Sequence, residues 1–385
     1  MTQTEFLSKL QRQYSENLPF AIYRSCDSSG TVKALLQEDS RLYKVEDFSE
    51  SGFVFAPFDE EKVPLLIPGN ASKKLIFEEN EFSPASGEPE IAAGNTSEEA
   101  KHKHIALVAK AVEVLQQGEM KKVVLSRKEE VALTKEVPLN LFFDLLNSYP
   151  TAFVYCWYHP ETGLWLGATP ETLLKVEGNR FKSMALAGTQ KFEGTVEVSW
   201  GEKEKQEQQF VTDSILENLQ DTSAENIQST RAYTVQAGNL LHLRTDIQGN
   251  FGRSPVSNTN SAANLKQVIS ALHPTPAVCG LPKELAKKFI LEEEGYDREF
   301  YTGYLGELNI QQVTQRTQNK RNVENLAYRA VKKETSLFVN LRCMKIENDK
   351  AILFIGGGIT KDSVPKDEWQ ETINKAETMK KVLFK

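Results

Sequence analysis

The sequence predicts a mixed α/β fold whose strands form largely antiparallel sheet. Two apolar runs, residues 152–158 and 164–169, flank the turn residues Pro160-Glu-Thr-Gly163 and predict a hairpin. A second hairpin is expected to turn at Glu177-Gly-Asn179. Successive hairpins are typical of antiparallel sheet rather than of repeated βαβ units. Segments with a helical apolar period lie on both sides of these hairpins, so the fold mixes both element types.

The N-terminal residues 1–75 predict one helix followed by short strands, for example at 20–23 and 52–56. From about Glu78 to Gly94 the chain is acidic and rich in Pro, Ser and Gly, which predicts a mobile surface connection. We therefore divide the chain into residues 1–95, expected to pack on the same body, and residues 96–385.

The segment that follows predicts a helix that begins with the capping box Thr96 and Glu99 and ends near Gly118. Residues 121–127 are rich in β-branched side chains and predict a strand. Further elements follow by the same periodicities, with helices near 138–147, 201–219, 262–272 and 283–294 and strands near 233–236 and 240–247.

The C-terminal stretch offers three pieces that suit an anionic ligand. A strand over residues 336–343 ends near Arg342, whose planar guanidinium can hold a carboxylate through two hydrogen bonds. Gly356–Gly358 predict a glycine loop that brings backbone N–H groups close to an anion. Glu368 and Glu371 lie three apart on one helix face. Taken alone, such glycines also mark ordinary turns, and such glutamates usually form a solvated face.

Charge and cysteine content narrow the class of protein. The net charge is −7 without blocks of Lys or Arg, which argues against nucleic acid or an anionic membrane as the main partner. We expect neither a signal peptide nor a membrane span. The four cysteines lie far apart and include no CxxC pair, which indicates reduced thiols in a cytoplasmic protein.

From about residue 100 onward, the sequence resembles the chorismate-utilising enzymes, a family that includes isochorismate, salicylate, anthranilate and aminodeoxychorismate synthases. That family has a pair of largely antiparallel sheets flanked by helices, with the active site in a cleft between them. The resemblance rests on motifs in the family's order at Lys122–Arg127, Gly167–Glu171, Leu186–Thr189, Glu202–Glu207, Leu241–Thr245, His273–Ala277, Asp297–Gly303, Leu341–Cys343, Gly356–Ile359 and Glu368–Thr372.

The resemblance implies a Mg²⁺ cofactor that holds the ring carboxylate of chorismate. Glu207 and Glu371 match the family's metal ligands, and Glu204 and Glu368 match outer carboxylates that reach the ion through water. Mg²⁺ prefers carboxylates and water as ligands, so this residue set suits it.

The resemblance also implies an acid and a base. Lys122 matches the general base, which must lose its own proton before it can take one from water. Glu171 matches the general acid, which must stay protonated through burial or a neighbouring negative charge. Without the family, Lys122 beside Lys121 would be interpreted as a surface lysine.

Two positions distinguish members of the family. Ammonia-using members carry glutamine where Lys122 stands, so lysine indicates water as the nucleophile and no glutamine amidotransferase partner is expected. Aminodeoxychorismate synthases carry a lysine in a Pro-Ile-Lys-Gly-Thr motif, and Ala187 stands at its place. Covalent capture of the substrate by that lysine is therefore unavailable to this chain.

Isochorismate synthase remains the favoured assignment. Salicylate synthase, which adds elimination of pyruvate, is the first alternative, and a non-catalytic metabolite-binding protein is the second. Pocket residues around Ala277 and Tyr301 are implied to influence the elimination, and Ala277 in its motif is more similar to isochorismate synthase. The pathway stays open among menaquinone, siderophore and salicylate biosynthesis, because the fate of the product depends on neighbouring enzymes.

The remaining implied contacts are the backbone around Gly188 and Thr189, and His242 in a motif near the substrate. Gln208 and Gln190 depart from the family, where histidine and arginine are frequent at these positions. Neither departure removes an implied metal ligand or proton carrier. The N-terminal hundred residues match the family only loosely and carry no tryptophan-binding signature.

Overall fold

The computed structural model of the protein describes residues 1–26, 30–78, 97–133, 138–237, 240–252, 262–314 and 330–383. Within these residues the chain forms seven helices: α1 Gln3–Ser15, α2 Glu98–Gln116, α3 Pro138–Ser148, α4 Glu202–Gln220, α5 Ala262–Leu272, α6 Lys283–Glu293 and α7 Pro365–Leu383. In the same residues, no helix combines the length and the apolar character that a membrane crossing needs.

The strands of the described residues form two large sheets. The first sheet has nine strands in the order β15 (Gly280–Leu281), β7 (Lys122–Ala132), β19 (Lys350–Ile359), β18 (Cys343–Glu347), β9 (Gly163–Thr169), β8 (Phe153–His159), β1 (Phe20–Arg24), β2 (Thr31–Gln37) and β6 (Ser72–Glu78).

The second sheet has ten strands. Nine follow the order β12 (Ala224–Ser229), β14 (Leu240–Phe251), β11 (Arg180–Lys191), β10 (Thr172–Glu177), β17 (Ala330–Val339), β16 (Tyr304–Thr314), β4 (Gly52–Ala56), β5 (Leu65–Pro68) and β3 (Tyr43–Lys44), and β13 (Tyr233–Ala237) pairs with β14 beside that path. The pairings in both sheets are antiparallel, for example β8 with β9 and β10 with β11. The predicted mixed fold with largely antiparallel sheets is confirmed.

The two sheets pack face to face over an aromatic core. Phe153 of the first sheet stacks on Phe338 of the second, with ring centroids 4.1 Å apart. Phe55 of the second sheet contacts Trp157 of the first at 5.1 Å. Burying one such side chain contributes about 2–3 kcal/mol, so this layer supplies much of the force that holds the sheets together.

Helices cover the outer faces because their apolar stripes point inward. α1, α3 and α7 pack on the first sheet through residues such as Phe6, Phe142 and Ala376. α4 and α5 pack on the second sheet through Val211, Ile215, Val268 and their neighbours. The layers are therefore helix, sheet, sheet and helix.

The N-terminal residues belong to both sheets. β1, β2 and β6 extend the first sheet beyond β8, and β3, β4 and β5 extend the second sheet beyond β16. The acidic connection predicted from Glu78 to Gly94 lies outside the described residues except for Glu78, which ends β6. The division at residues 95 and 96 also falls outside them and stays a prediction.

Two local predictions were wrong. Gly356–Gly358 do not form a loop, because they lie within β19 and pair with Ser126, Leu125 and Val124 of β7. Arg342 does not end a strand but lies in the turn between β17 and β18, with φ +45°. The cap of α2 is Ser97, whose side chain accepts from Ala100 N, and the expected cap Thr96 lies outside the described residues.

Candidate active site

A cavity of about 270 Å³ lies where the chain crosses from one sheet to the other. Pro170 and Glu171 connect β9 of the first sheet to β10 of the second, and Asn340–Arg342 connect β17 of the second sheet to β18 of the first. The two crossovers are neighbours, since Val339 N donates to Glu171 O at 3.0 Å and Ala168 N donates to Arg342 O at 3.1 Å.

The ammonium group of Lys122 lies at one wall of this cavity. Lys122 is the first residue of β7, is 3% exposed, and donates from Nζ to Glu207 Oε1 of α4 at 2.7 Å. The pair joins a strand of the first sheet to a helix on the second. Gly358 makes room for it, because a Cβ there would lie 3.0 Å from Lys122 Cε and 3.1 Å from Glu207 Oε1.

Glu171 lies in the same cavity in a different electrostatic setting. Its side chain is buried, and within the described residues its carboxyl makes no hydrogen bond or ion pair. Burial raises its pKa to about 8, against a smaller lowering by the charge of Lys122. At neutral pH the group is therefore a carboxylic acid that can donate a proton.

Glutamates from α4 and α7 line the same cavity. Glu204 and Glu207 come from α4, and Glu371 comes from α7, where it pairs with Lys375 at 2.5 Å. Burial raises the pKa of Glu207, but the interactions with Lys122, Lys375 and Lys203 outweigh this and hold it below its ordinary value.

Glu368 lies behind this face of the cavity. It is 7% exposed, and burial raises its pKa, with a further contribution from Glu371. Its Oε2 is buried, has no hydrogen-bond partner in the part of the chain that the structure describes, and lies 3.7 Å from the position of a Cβ on Gly357.

These carboxylates fit a hard divalent cation. In the described parts of the chain, no group of three or more His, Cys, Asp or Glu side chains is already arranged as a metal site. However, Glu207 and Glu371 are held by lysines, and Glu368 keeps an unpaired buried oxygen. A cation between the two helices would satisfy that oxygen, and an all-oxygen donor set suits Mg²⁺.

Arg342 is a cation in the cavity that lacks a protein anion. Within the described part of the chain, its guanidinium makes no hydrogen bond or ion pair. It lies 5.9 Å above the ring of Tyr149, whose hydroxyl donates to Thr378 O at 2.6 Å. A partly buried guanidinium that makes no hydrogen bond within the described residues is a suitable site for a carboxylate of a ligand.

His242 presents a hydrogen-bond acceptor to the cavity. Its Nδ1 lies 2.8 Å from Gly188 O, and because a carbonyl can only accept, Nδ1 carries the proton. Burial lowers the pKa of His242 to about 4, so the ring is neutral. Among the described residues its Nε2 is buried without a hydrogen-bond partner, so the lone pair can accept from a ligand hydroxyl.

Tyr301 and Ala277 form another wall. Tyr301 is buried and stacks on Phe354, with ring centroids 5.4 Å apart. A Cβ on Gly356 would lie 2.6 Å from the Tyr301 hydroxyl, so glycine is required there for close approach. The glycines of β19 thus give space to side chains of the cavity, which explains why a glycine run occurs inside a strand.

All the site residues predicted from sequence line this cavity except Glu368, which lies just behind Gly357. The structure thus brings Gly188, Thr189 and Ala277 together with the acid, the base and the glutamates. Their roles stay predictions. Sequence reasoning missed Lys203 and Lys375, which also line the cavity. The only signal for Lys375 was its spacing of four from Glu371, and that spacing is typical of exposed helix pairs.

Comparison with known proteins places this geometry in context. The chain is 29% identical over 282 residues to the isochorismate synthase EntC of Escherichia coli K12, and the match covers 71% of this chain. The matched region spans 65% of the length of EntC.

Solved structures share the fold. MenF, the menaquinone-specific isochorismate synthase from Escherichia coli, matches with a TM-score of 0.71 and 20% identity, over 95% of this chain and 88% of MenF. DhbC from Bacillus anthracis matches with a TM-score of 0.73 and 23% identity, over 98% of this chain and 99% of DhbC. A sequence model described as "chorismate binding enzyme" matches residues 64–315, and a second one with the same description matches residues 326–381. The chain therefore belongs to the chorismate-binding enzyme family.

Proposed function

We propose that the protein is a Mg²⁺-dependent isochorismate synthase. It converts chorismate to isochorismate reversibly, by adding water at C2 with loss of the C4 hydroxyl. The observation that carries this proposal is the placement of Lys122 and a protonated Glu171 in one cavity. The similarity to EntC over 71% of this chain supports it.

Lys122 and Glu171 divide the proton transfers. As the water oxygen bonds to C2, its proton passes to Lys122, which can accept it once its own ammonium proton has passed to solvent. The ring double bonds shift, and the C4 hydroxyl leaves with the proton of Glu171. The product is an isomer of the substrate, because one water enters and one leaves. The reverse reaction uses the same two groups in exchanged roles.

Substrate recognition uses groups that the protein leaves without partners. Chorismate carries two carboxylates, and Arg342 binds one of them. Gly356 and Gly357 let a carboxylate approach the backbone of β19. His242 accepts a hydrogen bond from a ring hydroxyl through Nε2.

Glu207 and Glu371 would hold Mg²⁺ directly, with Glu204 and Glu368 reaching it through water. When bound, the ion supplies positive charge that holds the ring carboxylate of the substrate and neutralises it. Without the ion, Glu207 is held by its ion pair with Lys122, and Glu371 by its ion pair with Lys375. Each glutamate would exchange its lysine for the ion when Mg²⁺ binds.

The partner of this site is a small molecule. With Lys122 in place, water is the nucleophile, so the protein needs no glutamine amidotransferase subunit to supply ammonia. The acidic net charge of −7 disfavours nucleic acid and anionic membranes as partners. We place the enzyme in the cytoplasm, where its four cysteines stay reduced.

The experiment that tests the proposal incubates purified protein with chorismate and Mg²⁺ without ammonia, and resolves the products by liquid chromatography with mass detection. Isochorismate as the product supports it. Salicylate together with pyruvate would make the protein a salicylate synthase instead. Unchanged chorismate under conditions where the protein binds it would indicate a non-catalytic metabolite-binding protein.

A further inference from the structure

A buried arginine lies behind the wall of the cavity that carries Tyr301. Arg298 is in the segment between α6 and β16 and is 2% exposed. Its guanidinium has five N–H groups, and five hydrogen bonds use them. Nε donates to Glu294 Oε2 at 2.8 Å and one terminal nitrogen donates to Glu294 Oε1 at 2.5 Å.

The other three hydrogen bonds reach three separate segments of the cavity wall. They go to Val124 O at 2.6 Å, to Val278 O at 3.0 Å and to Thr302 Oγ1 at 3.2 Å. All three acceptor residues line the cavity. Val124 lies two residues after Lys122, Val278 follows Ala277, and Thr302 follows Tyr301.

Besides the bond from Arg298 to Val124, Glu294 also connects the ion pair to β7. Its Oε1 accepts from Ser126 N at 2.7 Å and from Ser126 Oγ at 3.0 Å. The Ser126 hydroxyl also lies 2.6 Å from the Tyr296 hydroxyl. The ion pair is therefore joined to β7 on both sides of Leu125, and β7 cannot shift along its axis without breaking these bonds.

The segment around Tyr301 needs such support. Glu299 and Thr302 have φ values of 52° and 59°, in the left-handed region that side chains other than glycine rarely adopt. Tyr301 N donates to Arg298 O at 2.9 Å, and Thr302 Oγ1 donates to Tyr301 O at 2.6 Å. The guanidinium thus holds a strained turn from inside, and that turn places the ring of Tyr301.

We propose that Arg298 and Glu294 are a positioning pair that sets the distance between Lys122 and the wall formed by Ala277 and Tyr301. This inference rests on the proposed function for its kinetic consequence. Neither residue touches the cavity, and neither is bonded to Arg342 or to α7. The pair should therefore govern the chemical step, which needs Lys122 in place, more than the binding of the carboxylates.

The first test compares Arg298→Lys and Glu294→Gln with the wild-type protein. A lysine keeps the charge but has only three N–H donors, so it cannot replace the five hydrogen bonds that join Glu294 and the three segments. We expect kcat to fall by about a hundredfold, since a misplacement of about 1 Å is enough for that, with KM for chorismate nearly unchanged. Ser126→Ala deletes one hydroxyl and should lower kcat only a few-fold.

A control removes a partly buried charge pair elsewhere. Glu307 accepts from Tyr23 at 2.7 Å and from Lys33 at 2.8 Å, and it does not line the cavity. Glu307→Gln should destabilise the fold but leave kcat and KM unchanged. An equal fall of kcat in this variant would overturn the proposal, because it would attribute the effect to general destabilisation.

Hydrogen exchange without substrate separates this inference from the proposed function. In Glu294→Gln and Ser126→Ala, amides of residues 122–126, 275–279 and 300–304 should exchange faster, while those of α4 and α7 should not change. Unchanged exchange in all three segments would overturn the positioning role even in an active enzyme. A wild-type protein that leaves chorismate unchanged would remove the proposed function, and the exchange pattern would still decide whether the pair holds the wall.

Discussion

Glu171 is buried and Glu207 is partly buried, and both line one cavity beside Lys122, yet the two glutamates differ in charge. Glu207 accepts a hydrogen bond from Lys122, and three lysines hold its pKa below the ordinary value despite burial. Glu171 interacts with the charge of Lys122 without a hydrogen bond to it, and burial raises the pKa of Glu171 to about 8. A direct hydrogen bond to a cation outweighs desolvation, whereas a more distant charge does not.

The difference assigns the two carboxyl groups to opposite tasks. The group that stays protonated can donate a proton, and the group that stays ionised can hold a cation. The protonation state of each glutamate therefore depends on where its structural element places the carboxyl group relative to Lys122. Glu171 lies in a crossover with its carboxyl unbonded, and Glu207 lies on a helix opposite Lys122.

The largest effect should come from removing the acid. Glu171→Gln keeps the shape but cannot donate a proton as the C4 hydroxyl leaves. We expect kcat to fall by about a thousandfold, the middle of the range for general acid catalysis, with chorismate still bound. Steady-state kinetics and calorimetric binding measure both. Glu177→Gln, at the exposed end of β10, is the matched control. Turnover within tenfold of wild type would contradict the role of Glu171.

The next effect concerns the ionised partner. Glu207→Gln should raise the Mg²⁺ concentration for half-maximal activity by at least about tenfold, because even indirect supports of a metal ligand are worth that much. Titration of Mg²⁺ into chelated enzyme measures it. Glu217→Gln, on the exposed face of the same helix, should titrate like wild type. Full activity of chelated wild-type enzyme would remove the glutamates from the mechanism.

The pH dependence of kcat/KM should report the protonation of Glu171. Glu171 is protonated below its pKa of about 8 and loses its proton above it. We expect kcat/KM to fall about tenfold per pH unit above that value. In Glu171→Gln the residual activity should lack this alkaline limb. A profile of wild-type enzyme that stays flat to pH 10 would contradict the assignment.

The last effect is on stability. The folded-state pKa of Glu171 exceeds its unfolded value, so the folded protein binds the proton more tightly. Stability from this group is thus full below the ordinary pKa of a glutamate. It is lost as pH rises toward about 8, by about 1.4 kcal/mol for each pH unit in that interval. Urea unfolding at pH 5.5 and 8.5 should show a smaller loss in Glu171→Gln than in wild type. An equal loss in both would contradict the raised pKa.

Sequence reasoning reached the fold class because hairpins and helical periods are local signals. It reached most of the cavity residues only through the family motifs. It failed at Gly356–Gly358, where a glycine run indicates a turn locally. The reason for glycine there lies in Lys122 and Tyr301, which are far away in sequence. A local pattern cannot show which side chains another strand will bring close.

The crossovers were equally hidden in the sequence. β9 and β10 are separated only by Pro170 and Glu171, and so short a connection suggests that the two strands are neighbours in one sheet. In the structure these two residues connect different sheets. Lys375 was missed for a similar reason, because its pairing with Glu371 is also the usual pattern of a solvated helix face.

The two crossovers also determine when the site comes into existence during folding. Glu171 and Arg342 each join the sheets, Lys122 belongs to the first sheet, and Glu207 reaches it from the helix on the second. A chain in which only one layer has formed contains part of the cavity wall but does not bring Lys122 together with Glu207. Activity therefore indicates that the two sheets have packed together. Molecules that turn over substrate have already formed the aromatic core, and partly folded molecules are inactive.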